Sequence, residues 1–158
     1  MGVAVQTIAV SRLRPGREPA SLPAVPTGVF SRDGAQTFDT ASAPAPWVRL
    51  AAEALRAERL ELAGEPVLIR HRPGDHGLPP AAAGAVYRFA MDLTDARTSV
   101  TGGVLLFLDE TGKGSGWRAE AGAVTLWSGA DPELTELVPG APERLTLIGQ
   151  ARALSPAA

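Results

Sequence analysis

The sequence predicts a mostly β protein in which one helix packs on an antiparallel sandwich or barrel. Only one stretch of the 158 residues has apolar side chains at helical spacing, and six short stretches of strand character follow it at intervals of about 8 to 15 residues. The chain has 17 Gly and 14 Pro, which places much of the backbone in turns. Hydrophobic residues make up 45% of the chain but aromatic residues only 5%, so we expect a core of Ala, Val and Leu.

The first 46 residues are predicted to be an irregular, Pro-rich region that opens with a strand. Residues 3–10 are rich in β-formers, and Pro15-Gly16 follows them as a turn signal. Residues 15–46 have scattered prolines and few apolar clusters, so they are expected to form a loop with one or two short strands.

The helix is predicted over residues 47–63. Trp47, Leu50, Ala54 and other apolar residues recur at helical spacing there, and a proline precedes them. Gly64 is expected to end the helix.

Residues 64–150 are predicted to form the β core of a single domain covering residues 1–158. Short apolar or alternating runs separated by Gly- and Pro-containing turns indicate the strands. The predicted strands span residues 66–70, 86–93, 103–108, 124–128, 134–138 and 145–148.

Composition excludes several kinds of site. The net charge is −2, which disfavours a nucleic-acid partner. The absence of Cys excludes disulfides, thiol nucleophiles and Cys-ligated zinc, and two His cannot make a three-His metal site in one chain. The first residues lack a signal-peptide pattern, and no apolar run approaches the roughly 18 to 20 residues that cross a bilayer, so a cytoplasmic protein without a membrane partner is expected.

Common catalytic motifs are also missing from the sequence. Gly112-Lys113 is not followed by Ser or Thr, so there is no Walker loop, and neither Ser115 nor Ser128 has the flanking glycines of a nucleophile elbow. No dinucleotide-binding glycine motif is found either.

The second half of the chain resembles the Fe(II)/2-oxoglutarate-dependent oxygenases of the prolyl-hydroxylase type. The resemblance rests on GGVLLFLDETG at 102–112, GWRAEAGAVTLW at 116–127, ERLTLIG at 143–149, VLIRHRPGD at 67–75 and YRF at 87–89. It covers roughly residues 47 to 150, and it depends on the order and spacing of these segments together.

The resemblance implies a double-stranded β-helix, or jelly roll, that holds iron through a His-x-Asp pair and a distal His. It also implies that an Arg on a late strand binds 2-oxoglutarate. Arg144 occupies that position, but neither residues 77–83 nor residues 131–136 supply the metal ligands, and no His follows His76. Iron and 2-oxoglutarate are therefore implied by the family but not supported by the ligand positions, and we predict neither a metal nor a cofactor.

A relocated metal site at His71, Asp75 and His76 is an alternative, because two His and one carboxylate suit non-haem iron. Convergence of three ligands from one tight turn is geometrically unfavourable. We favour an interpretation in which Asp75 caps the Pro-Gly turn and both His are partly exposed loop residues.

Three further residues are candidate ligand-binding groups. Arg144 is expected either to bind a ligand anion or to form a surface salt bridge with Glu143 or Glu136. Arg88 either lines a cavity or is an edge-strand charge, and Trp127 is expected at the cavity, more in packing than in cofactor stacking.

Asp92, His71 and His76 are the candidate catalytic groups, because Asp92 interrupts an apolar strand and carboxylate and imidazole side chains can do acid–base work. Three functions remain open, and so does whether the chain is an enzyme. We favour a non-catalytic binding or accessory subunit in bacterial small-molecule metabolism, with a small organic ligand in the barrel cavity and a second copy or a paralogous subunit as a candidate partner. The alternatives are a metal-independent isomerase, cyclase or lyase, and an oxygenase with the relocated triad.

Overall fold

The computed structural model describes residues 4–5, 30–80, 87–93, 105–108, 111–117, 122–128, 132–134 and 143–154. This part of the chain contains one helix of more than two turns, α1 (Ala45–Ala57), and ten strands. The strands are β1 Ala4–Val5, β2 Asp39–Ser42, β3 Leu60–Leu62, β4 Val67–His71, β5 Tyr87–Asp92, β6 Leu105–Leu108, β7 Gly114–Trp117, β8 Val124–Ser128, β9 Glu133–Leu134 and β10 Arg144–Ala153. The predicted mostly β, antiparallel class is confirmed.

The strands form two antiparallel sheets. The larger sheet has the order β1-β8-β5-β10-β4-β2, and β3 pairs with the carboxyl end of β10. The smaller sheet has the order β7-β6-β9. Strand β10 is the centre of the larger sheet, because it pairs with β5 on one side and with β4 on the other.

Alternation along the central strands gives the larger sheet two different faces. One face packs against α1, and its buried side chains include Leu68, Phe89 and Leu147. The other face carries Ile69, Ala90, Trp127 and Ile148, which form one apolar cluster with Leu105 and Phe107 of the smaller sheet. We call this second surface the inner face.

Helix α1 ends six residues earlier than predicted. Pro46 lies in its first turn, as the sequence indicated, and the helix buries Trp47, Leu50 and Leu55. It stops because Arg59 takes a left-handed conformation with φ of 59°, a role usually given to glycine. Leu60 and the residues after it then pair with β10 instead of extending the helix.

Several strand boundaries differ from the predictions. The strand predicted over 145–148 extends over all ten residues of β10, β2 is a short strand within residues 15–46 as expected, and β3 and β7 were not predicted. Of the strands predicted over 3–10 and 134–138, the described residues show β1 and Leu134, and the remainder lies outside the described ranges. Within those ranges, no helix is long and apolar enough to cross a membrane.

Gly149 is required by close packing at the centre of β10. A Cβ at this position would lie 2.6 Å from two ring atoms of Phe89 and 3.0 Å from Cβ of Pro66. The Phe89 ring is fully buried, so it has little space into which to move. We expect Gly149→Ala to lower the free energy of unfolding by about 1 to 3 kcal/mol, as overpacked cores do.

Urea unfolding of both variants measures this effect, with Gly34→Ala as the control. Gly34 is exposed, and no described heavy atom lies within 4 Å of the Cβ it would gain. Equal stability losses in the two variants would contradict the close-packing argument.

Candidate functional site

Four polar side chains meet at one end of the inner face. Arg144 lies directly opposite His71 across the β10–β4 pair, and Thr146 lies opposite Asp92 across the β10–β5 pair. Alternation places these residues on the same side as Ile148 and Ile69. All four are at most 4% exposed. We call His71, Asp92, Arg144 and Thr146 the polar quartet.

An ion pair joins Arg144 to Asp92 inside the quartet. Nε and Nη2 of Arg144 donate to the same oxygen, Oδ1 of Asp92, at 3.0 and 2.7 Å, and the Thr146 hydroxyl lies 3.3 Å from it. Nη1 of Arg144 is buried and has no hydrogen-bond partner among the described residues. The predicted surface salt bridge with Glu143 or Glu136 is therefore wrong, because Arg144 points inward to a carboxylate 52 residues away.

His71 is a neutral, fully buried side chain. Its Nε2 lies 2.8 Å from the carbonyl oxygen of Gly77, which can only accept, so Nε2 carries the proton and Nδ1 keeps a lone pair. Nδ1 has no partner in the described part of the chain. Burial lowers the pKa of His71 to about 4, and the positive charge of Arg144 contributes in the same direction. The prediction that His71 is a partly exposed loop residue is wrong, because it is the last residue of β4.

The other two residues of the predicted relocated triad, Asp75 and His76, lie in the segment after β4 and do not converge with His71. Asp75 accepts from the backbone N–H of Arg72 at 2.8 Å, which is the predicted turn cap, and from Arg32 at 2.6 Å. His76 is exposed, and its backbone pairs with Thr37. The described residues contain no group of three or more His, Asp or Glu placed to hold a metal ion. The relocated triad is not assembled.

A second ionic cluster, centred on Asp39, links this turn to β2. It was not predicted from the sequence. Asp39 is buried, accepts hydrogen bonds from Arg32 at 2.7 Å and from Arg70 at 2.9 Å, and forms an ion pair with Arg72 at 3.3 Å. Although burial opposes it, hydrogen bonds from Arg70 and Arg32 leave the pKa of Asp39 below its ordinary value. The cluster joins β2 and β4 to the segment that follows β4. Gly77, whose carbonyl oxygen accepts from His71, lies in that segment.

We expect Asp39→Asn to destabilise the protein by about 1 to 2 kcal/mol. The change keeps the side-chain size but removes the charge that faces three arginines. Because these arginines are partly exposed, solvent screening keeps the loss in the lower range for charged hydrogen bonds. Thermal unfolding in low salt measures it, and Asp33→Asn on the exposed turn is the control. A loss no larger than that of the control would contradict the structural role of the cluster.

The opposite end of the inner face borders a cavity of about 190 Å³. Arg88, Gln150, Ile148 and Val67 line it, together with the loop at Pro79 and Pro80. Arg88 is buried on the central strand β5 and donates to the carbonyl oxygen of Pro79 at 2.6 Å. It is therefore a cavity residue and not an edge-strand charge.

Trp127 lies opposite Arg88 across the β5–β8 pair and packs edge-on against Phe107, with ring centroids 5.7 Å apart. It is fully buried within the apolar cluster of the inner face, which agrees with a packing role. A larger groove of about 690 Å³ runs outside this face along β2 and α1, away from the quartet.

The structure thus divides the predicted site residues into three places. Asp92, His71 and Arg144 come together in the quartet, Arg88 and Trp127 lie at the far end of the inner face, and His76 is on the surface. Thr146 was missed in the sequence, although its position two residues after Arg144 on a strand places it on the same face.

The fold is similar to that of a known oxygenase. The crystal structure of a Pseudomonas putida prolyl-4-hydroxylase matches 78% of this chain and 78% of its own chain, with a TM-score of 0.53 and 16% sequence identity. At this identity the likeness shows a shared fold. No family model and no curated protein matches the sequence.

Proposed function

We propose that this protein is a metal-free binding or accessory protein built on an oxygenase-like fold. The fold likeness to a prolyl-4-hydroxylase supports the scaffold. The strand order of the larger sheet, together with the smaller sheet packed on its inner face, supports a double-stranded β-helix. Binding of a small organic ligand on the inner face is the function that this arrangement favours.

The observation that carries the proposal is the bond between Arg88 and the loop after β4. The resemblance expects metal-ligating side chains at residues 77–83, and the described part of that window is Gly77, Leu78, Pro79 and Pro80. The loop meets the inner face through the carbonyl oxygen of Pro79, and a buried guanidinium is its partner. A buried positive charge at this point repels a divalent cation, so these residues do not fit ferrous iron.

The cavity beside Arg88 is a suitable place for the ligand. Its volume of about 190 Å³ holds a small organic molecule, and its wall combines apolar side chains with the polar groups of Glu65, Arg88 and Gln150. Ligand sites commonly have this combination of an apolar wall and a few placed polar groups.

Metal analysis and calorimetry test the proposal. We expect protein reconstituted anaerobically with Fe(II) and passed through a desalting column to retain far less than one iron per chain. We also expect no saturable heat with 2-oxoglutarate. Stoichiometric iron that is lost in both His71→Gln and His76→Gln, with 2-oxoglutarate binding that depends on Arg144, would overturn the proposal in favour of the relocated site.

The lone pair of His71 supports metal-independent acid–base catalysis as a second candidate function. Nδ1 is buried and without a described partner, so its lone pair can accept a hydrogen bond or a proton from a substrate group, although a pKa of about 4 makes it a weak base at neutral pH. If this function is correct, small-molecule turnover followed by NMR is lost in His71→Gln and kept in His76→Gln. Turnover that is unaffected by His71→Gln would contradict it.

A further inference from the structure

We infer that Asp92 is a built-in carboxylate ligand of Arg144, and that it closes this part of the inner face to carboxylate ligands. The inference deepens the proposed function, since it states which ligand class the quartet rejects. It also gives the quartet a latent site: a small free carboxylate binds to Arg144 when the Asp92 side chain is removed.

The geometry of the pair carries the first step. A carboxylate that binds arginine strongly does so through two parallel N–H donors. Nε and Nη2 of Arg144 are both directed to Asp92, at 3.0 and 2.7 Å. The side-on donor pair of Arg144, Nε and Nη2, is therefore occupied by Asp92, and only Nη1 is without a described partner.

The charge balance of the quartet also disfavours a carboxylate ligand. Within the quartet, the guanidinium of Arg144 and the carboxylate of Asp92 cancel, and His71 is neutral. An added carboxylate would lose its hydration in a buried site without gaining an uncompensated cation among the described residues of the quartet, which is unfavourable.

His71 gives the third step. His71 lies on the strand position directly opposite Arg144, and its buried Nδ1 has a lone pair with no described partner. A carboxylate has only acceptor oxygens and repels this lone pair, whereas an uncharged hydroxyl or carboxamide can donate to it and accept from Arg144. The quartet therefore favours uncharged polar groups over dicarboxylates such as 2-oxoglutarate.

Thermal unfolding with formate, acetate and 2-oxoglutarate tests the inference at constant ionic strength. We expect Asp92→Ala to be less stable than the wild type and to gain a saturable rise of roughly 5 to 10 °C in Tm at formate concentrations about one hundred times its Kd. We expect no such rise for the wild type. Acetamide, the uncharged analogue of acetate, should rescue Asp92→Ala far less than formate because it supplies no negative charge to Arg144, and chloride should not rescue it.

The double variant Asp92→Ala/Arg144→Met is the control, because it has the same space but no guanidinium. Formate rescue that persists in this double variant would overturn the inference, as would equal rescue by chloride. Calorimetric binding of 2-oxoglutarate to the wild type that disappears in Arg144→Met would also overturn it.

If Asp92→Ala is insoluble when produced alone, refolding with and without formate provides the same comparison. A recovery of folded protein that is higher with formate than with acetamide supports the inference. Equal recovery with formate and with acetamide contradicts it. Failure of this inference can be distinguished from failure of the proposed function, because iron retention by the wild type tests only the proposed function.

Discussion

Replacing Arg144 by Met is expected to lower the free energy of unfolding by about 3 to 5 kcal/mol, among the largest losses for a single residue in this chain. The substitution removes the guanidinium but leaves the carboxylate of Asp92, which is fully buried, without its cation. An unpaired buried charge is far more costly than the loss of a contact between exposed groups. Urea unfolding monitored by circular dichroism measures the change.

A double variant distinguishes the cost of burying an unpaired charge from the cost of losing the packing of Arg144. In Arg144→Met/Asp92→Leu no charge is left inside the quartet, so most of the stability should return. Arg152→Met is the matched control, because Arg152 forms a 3.0 Å salt bridge with Glu61 near the other end of β10 but is 63% exposed. Its loss should be below about 1 kcal/mol. Equal losses in Arg144→Met and Arg152→Met would show that the buried pair has no special cost.

Acidification is expected to destabilise the protein well before its carboxylates titrate. The folded-state pKa of His71 is about 4, against an ordinary value of 6.5. The unfolded chain therefore binds a proton at a pH where the folded chain does not, and stability falls as the pH is lowered through 6.5 toward 4. The shift corresponds to about 2.5 kcal/mol lost between pH 7.5 and pH 4.5.

Two histidine variants identify the source of this pH dependence. We expect His71→Gln to flatten the stability curve between pH 7.5 and 4.5, and His76→Gln to leave its slope unchanged, because His76 is exposed. The pKa values of Asp39 and Asp75 are held below the ordinary carboxyl value, with hydrogen bonds from arginine overcoming the effect of burial. Their stabilisation is lost only as the pH falls below about 4, outside this window. A slope that survives His71→Gln would exclude His71 as its source.

Local patterns predicted most of the central strands. The apolar runs at β4, β5 and β8 could be located to within a residue or two, because strands paired on both sides and buried on both faces need continuous apolar sequence. The end of α1 could not be located, because Leu60 and Leu62 continue the helical spacing while β10 supplies their actual partners. A pairing across ninety residues leaves no local signal.

Most residues of the candidate site could be predicted from local sequence, but their contacts could not. Asp92 was recognised as an unusual charge in an apolar strand, and Arg144 as the first residue of a late strand, but nothing in either segment showed that they face each other. The sequence predicts a loop position for His71, whereas pairing with β10 keeps it in β4.

The sequence by itself determined the mostly β class, the start of the helix and the positions of the strand-borne charges, since these depend on residue type and spacing along the chain. It also determined where the two His lie along the chain, the second of them being His76. Only the tertiary structure decided that Arg144 is neutralised by Asp92 and that His71 is buried beside it. Register between strands distant in the chain brings these groups together, and burial then sets their charges.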